Sequence, residues 1–252
     1  MNIILIVETF IAFVLAITLH EAVQAAVAAA LGDPSPAGAG RMSLVPARQM
    51  SAIGTIVAIV YSFAFPFSAG LGWGRPLSVD ARRLRVGPNF GLIVIALSGI
   101  GFNLLLGVGI AFGLSLLPGY ASLGSAVSSC QGIGGALQNC LSSAQPAAVL
   151  RLDQFLYTFA VTNVLIAIVN IIPLHPLDGY KILFALLPSR QAISFRRLEP
   201  WMELILLVIL FVVPWLMGIL NIPFDPGQIL IRIARSLTYG LATSIDNFYA
   251  LL

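Results

Sequence analysis

The stretch "TLHEAVQAAVAAALGD", residues 18–33, decides how this chain is read. It ends an apolar run that starts near Ile3, and it carries two ionisable side chains, His20 and Glu21, well inside that run. Gly32 and Asp33 close it with turn chemistry. The run exceeds the roughly 20 apolar residues that a helix needs to cross a bilayer. It has no basic n-region and no small-residue cleavage site, so it is expected to remain as a membrane helix rather than to be removed as a leader.

Composition extends that reading to the whole chain. Of 252 residues 59% are hydrophobic and 9% charged, with a mean hydropathy of +0.98. Soluble domains carry about a quarter charged residues, so an integral membrane protein is expected. Apolar windows at 3–31, 53–71, 90–118, 154–174 and 201–220 predict an all-α polytopic membrane protein with roughly five to six transmembrane helices. The segment "GDPSPAGAGRMSLVPARQM" is too polar to cross lipid alone, and its "RMSLV" run predicts a short membrane-associated strand or hairpin after the first helix. Residues 226–252, interrupted by Arg232, Arg235 and Asp246, predict an amphipathic or interfacial helix. No repeat or soluble segment divides the chain, so 1–252 is read as one membrane domain.

The formal net charge of +3 comes from loop cations, which bear on orientation and give no reason to expect nucleic acid as a partner. Segments 72–89 and 179–200 hold Arg75, Arg82, Arg83, Arg85, Lys181, Arg190, Arg196 and Arg197, whereas 119–150 holds no charge. The positive-inside rule places the two basic segments in the cytoplasm of a bacterial cytoplasmic membrane and the Gly/Ser-rich loop 119–150 outside. Cys130 and Cys140 lie in that loop, where a disulfide and two free thiols are both open readings.

Two polar features interrupt the apolar helices. In a His-Glu-x-x-His helix the residues at i and i+4 share one face, so two imidazoles can bind one Zn²⁺ while the Glu acts as general base on a metal-bound water. Here His20 and Glu21 supply the first ligand and the base, and Gln24 stands at i+4. A carboxamide is not among the usual zinc ligands. Farther on, Pro173 and Pro176 in "NIIPLHPLDGY" predict that a helix unwinds, leaving Asp178 at the break. An ionisable residue at membrane depth is a functional candidate, and Asp178 can also cap the helix that follows.

Taken in order, these segments resemble the site-2 protease family of intramembrane zinc metalloproteases, in its small members without a PDZ domain. "HEAVQAAVAAALGD" is similar to the family's His-Glu-x-x-His helix, "GRMSLVP" to its Gly-Arg-Leu-Thr-Leu-Asn-Pro stretch, and "GWGRPL" to Gly-Trp-Ala-Lys-Pro-Val. "SGIGFN" resembles Ala-Gly-Pro-x-x-Asn, and "NIIPLHPLDG" resembles the Asn-x-x-Pro-x-Pro-x-Leu-Asp-Gly motif that brings the last ligand. The resemblance implies that His20 and Asp178 are metal ligands and that Glu21 is the catalytic base. It also implies that Asn103, Asn163 and Asn170 face a substrate or partner, although interhelical hydrogen bonding is the alternative, more so for Asn163 and Asn103 than for Asn170 beside the Pro-rich break.

The departures cluster near the site. Gln24 replaces a ligand, Gln49 and Ser51 replace a His and an Asp, Ile100 replaces a Pro, and Tyr180 replaces a Gly. His175 or the Gln24 oxygen would have to supply a third donor. Loss of a ligating imidazole should weaken zinc by at least the roughly 10–100-fold typical of changing a residue that merely hydrogen-bonds a ligand, so zinc is expected to be absent or weakly held. The leading expectation is a pseudoprotease that binds a transmembrane helix in contact with membrane lipid, or that serves as accessory subunit of a membrane complex. The alternative is an active intramembrane zinc peptidase with Glu21 as general base.

Overall fold

The computed structural model describes residues 3–64, 70–116 and 152–249. The loop 119–150 and the pairing of Cys130 with Cys140 therefore lie outside the described residues. The elements run α1 (Ile3–Ala30), α2 (Ser35–Gly38), α3 (Pro46–Gln49), α4 (Ala52–Ala64), α5 (Pro88–Ser115), α6 (Leu152–Val169), α7 (Asp178–Leu186), α8 (Ser189–Arg196), α9 (Glu199–Ile219) and α10 (Pro226–Tyr249). Among the described residues α1, α5 and α9 are long and apolar enough to cross a membrane, and α4 and α6 are shorter apolar helices. The protein is an all-α integral membrane protein. At 13 residues α4 is about 20 Å long, less than the hydrocarbon core of about 30 Å.

The helix α1 has no charged residue in its first or last turn and is apolar on every face, as suits a helix enclosed by others or by lipid. It packs on α5 and α6, which also pack on each other. Without a hydrophobic drive between helices in lipid, close backbone approach carries the packing. The face of α5 that turns inward is accordingly built on Gly91, Gly99 and Gly107. Beside this trio, a second cluster joins Val57 and Tyr61 of α4, Val161, Val164 and Leu165 of α6, Leu206 and Leu210 of α9, and Ile231 and Ala234 of α10. The expected C-terminal amphipathic helix forms as α10, with Gly227, Ile231, Ala234 and Thr238 on its buried face.

Within α9, Pro214 cannot donate to the carbonyl of Leu210 and the helix loosens into one π turn over Val208–Val212. The Tyr61 hydroxyl donates to that freed Leu210 carbonyl at 3.2 Å. A local defect in one helix thereby becomes a tie to another.

The strand expected for "RMSLV" does not form, and no strand occurs among the described residues. The segment is instead held by α2, α3 and turns, with one isolated antiparallel bridge between Met50 and Gly74. Pro34 and Pro46 each start a short helical turn, and Gly40 has φ 71°. A run interrupted this often cannot offer consecutive pairing groups to a ladder.

Candidate active site

The site is assembled where α1 meets α5 and the start of α7. His20 and Gln24 are one helical turn apart on α1, and both are buried against Gly99 of α5. A methyl group at Gly99 would lie 2.6 Å from Gln24 Nε2 and 2.7 Å from His20 Nε2, so any larger residue would displace the pair.

The broken segment delivers Asp178 as the proline pattern predicts. The helix α6 ends at Val169, and turns carry the chain through Leu177 to the first residue of α7. Asn170 staples this break. Its side-chain oxygen accepts from the Asp178 amide at 3.3 Å, its backbone carbonyl accepts from the Gly179 amide at 2.6 Å, and its side-chain nitrogen donates to Ile166 O at 2.9 Å. Gly179 is needed there, since a Cβ would collide with the carbonyls of Ile171 and Ile172. The cap position of α7 is Leu177 with no side-chain bond, so the carboxylate of Asp178 is not spent on capping.

That carboxylate enters the α1 pair. Asp178 Oδ2 lies 2.7 Å from His20 Nε2 and accepts from Gln24 Nε2 at 2.6 Å. Its other oxygen accepts from Lys181 Nζ at 2.8 Å, and the same ammonium donates to Gln24 Oε1 at 3.3 Å. An ammonium has only donors, which sets the Gln24 amide with its oxygen toward Lys181 and its nitrogen toward Asp178. The His20–Asp178 separation is shorter than the 3.0 Å between His20 Nε2 and Gln24 Nε2, which assigns the imidazole proton to Nε2 as donor to Asp178. His20 Nδ1 is buried and has no hydrogen-bond partner among the described residues.

Glu21 faces the other way. Its Oε2 accepts from Arg41 at 2.8 Å, and the same guanidinium donates to Arg75 O at 2.5 Å and to Arg48 O at 2.8 Å. Of Gln49 and Ser51, read in sequence as lost site residues, Gln49 holds the frame of this arginine. The Gln49 amide donates to Arg41 O at 2.7 Å and Ser43 O at 2.8 Å, while its backbone carbonyl accepts from Arg75 N. Ser51 accepts from the Gly54 amide at 2.9 Å, a cap for α4.

His175 is placed elsewhere. Its Nε2 lies 3.5 Å from Glu199 Oε1, and its ring stands edge-on to Tyr180 at 5.6 Å. Tyr180 in turn donates to Glu199 at 3.0 Å, and burial followed by that carboxylate pushes the phenol up to about 12. Of the polar core residues, Asn103 is fully buried with neither side-chain atom hydrogen-bonded among the described residues, and Asn163 donates to Phe159 O at 2.8 Å. The structure places His20, Gln24 and Asp178 together with Asn170 beside them, and it adds Lys181 and Arg41, which the sequence did not single out. Lys181 had a signal, since it lies at i+3 from Asp178 in a helical segment.

The donor set converging on Asp178 is thus one imidazole, one carboxylate and one carboxamide, with an ammonium on the remaining side. Among the described residues no group of three or more His, Cys, Asp or Glu side chains is placed to hold a metal ion.

Comparison with known proteins gives the lineage. The chain is 29% identical over 204 residues to "Putative zinc metalloprotease YwhC" of Bacillus subtilis (strain 168), covering 81% of this chain and 80% of that protein. No solved structure matches. The sequence profile described as Peptidase family M50 matches residues 8–213, which include most of α1, the Asp178 break and most of α9. The chain belongs to peptidase family M50, the site-2 protease family.

Proposed function

We propose that this family member does not carry out zinc-dependent proteolysis and instead uses the retained fold to bind a transmembrane helix, either of a single partner or within a larger membrane complex. The observation that carries the reading is Gln24, whose carboxamide stands at the second ligand position and is bonded to Asp178 at 2.6 Å. Catalytic zinc sites use three protein ligands from His, Cys, Asp and Glu, and this donor set falls short by one. Zinc is accordingly absent or weakly held in this reading. Asn103 supports the helix-binding half, because a buried amide with no partner among the described residues is costly unless something else supplies one. The basic segments 72–89 and 179–200 then face the cytoplasm and 119–150 the exterior.

The second reading is an active peptidase with Glu21 as base, favoured by the convergence of His20 and Asp178 and by the name of the Bacillus relative. Metal analysis of the purified protein, paired with a cleavage assay on transmembrane reporter peptides, decides between them. The expected result is far less than one zinc per chain and no cleavage. Stoichiometric zinc together with cleavage that Glu21→Gln abolishes would overturn the proposal.

A further inference from the structure

We infer that Lys181 is a built-in replacement for the metal: its ammonium occupies the cation's place against Asp178, and the site is closed to a divalent ion for that reason and not only because Gln24 lacks a lone pair of imidazole type. The inference deepens the pseudoprotease reading and rests on it.

The charge balance makes the case. The cluster holds two buried carboxylates, Asp178 and Glu21, each paired at 2.8 Å with one cation, the partly buried Lys181 and the buried Arg41 respectively. With a neutral imidazole the four charges sum to zero. Buried charge in a membrane protein is tolerated where it is paired, and adding a divalent ion would leave two positive charges uncompensated. The ammonium also blocks coordination directly. It takes one oxygen of Asp178 and the only oxygen of Gln24, while the Gln24 nitrogen and His20 take the other Asp178 oxygen. On the Asp178 side each of these oxygens already accepts at least one proton donor. Restoring the missing histidine alone would therefore not restore the metal site.

The test is zinc affinity by competition with a chromogenic chelator, using the full chain in detergent micelles, for the wild type, Gln24→His, Gln24→His/Lys181→Met and Gln24→His/Lys181→Arg. Wild type and Gln24→His should bind weakly. Removing the ammonium should tighten binding over Gln24→His by at least about 10-fold, in the range seen when the surroundings of a metal site change. The arginine double variant keeps the charge and should match Gln24→His. Equal affinity of Gln24→His and Gln24→His/Lys181→Met would overturn the role of Lys181. So would an arginine variant as tight as the methionine one. If Gln24→His/Lys181→Met does not fold, Gln24→His/Lys181→Gln, which removes the ammonium but keeps a neutral hydrogen-bond donor for Asp178, should show the same tightening. Stoichiometric zinc in the wild type would instead bring down the pseudoprotease reading itself, so the two failures are told apart.

Discussion

The guanidinium of Arg41 holds the carboxylate of Glu21 at 2.8 Å, and both side chains are about nine-tenths buried. The residue that the family's chemistry would use as a base is thereby committed to an ion pair, which also ties α1 to the carbonyls of Arg48 and Arg75. Breaking a buried pair by removing one partner leaves an uncompensated charge and costs about 3–5 kcal/mol. Arg41→Met should show that loss in equilibrium unfolding in micelles. The double variant Arg41→Met/Glu21→Gln should recover much of it, and strict additivity of the two changes would contradict a direct pair.

The tight turn at Gly179 makes a second expectation. A Cβ there meets backbone carbonyls rather than flexible side-chain ends, so the clash cannot be relieved locally. Gly179→Ala should destabilise by about 1–3 kcal/mol, the usual cost of overpacking. It should also pull Asp178 away from His20, which the imidazole proton signal of His20 would report by NMR.

Asn103 predicts a split between stability and binding. Its amide lacks hydrogen bonds among the described residues, so replacing it with an apolar group of similar size removes a desolvation cost. Asn103→Leu should leave the protein unchanged or more stable by about 1 kcal/mol while weakening co-purification of a transmembrane partner. A variant that loses stability and keeps its partner would mean that the amide serves the fold.

Acid stability should depend on Asp33, the residue that closes the opening stretch. Burial alone would raise its carboxyl, but hydrogen bonds from Ser35 and the Asp80 amide, with Arg83 nearby, outweigh burial and hold it below the usual carboxylate range. The group therefore contributes its full stability above its unfolded pKa of about 3.9 and loses it as pH falls through the lower folded value. Asp33→Asn should cost about 1.5–3 kcal/mol at neutral pH, as for hydrogen bonds to charged groups. The difference from wild type should shrink below about pH 4, and a difference that stays constant through that window would contradict the assignment.

Much of the architecture could be read from one-dimensional patterns. Apolar windows marked α1, α4, α5, α6 and α9, because span length and composition are local quantities. Pro173 and Pro176 announced the break at Asp178, because a missing amide proton and a restricted preceding residue act within one turn of helix. His20, Gln24 and Asp178 were legible as a group through motif spacing, and they meet within 3.0 Å. The strand expected for "RMSLV" failed because a left-handed glycine before the run and a proline directly after it turn the chain at both ends. Gln49 and Ser51, read as departures near the site, bond within the chain: Gln49 to the Arg41 and Ser43 carbonyls, Ser51 as a cap for α4. What local spacing could hint at only for Lys181, three residues after Asp178, is which cation each buried carboxylate meets. Lys181 looked like one more charge in a basic segment, and Arg41 like part of a polar linker. Pairing is a property of distance in three dimensions, and in a medium that leaves no charge to water it is that pairing which determines what the site can still bind.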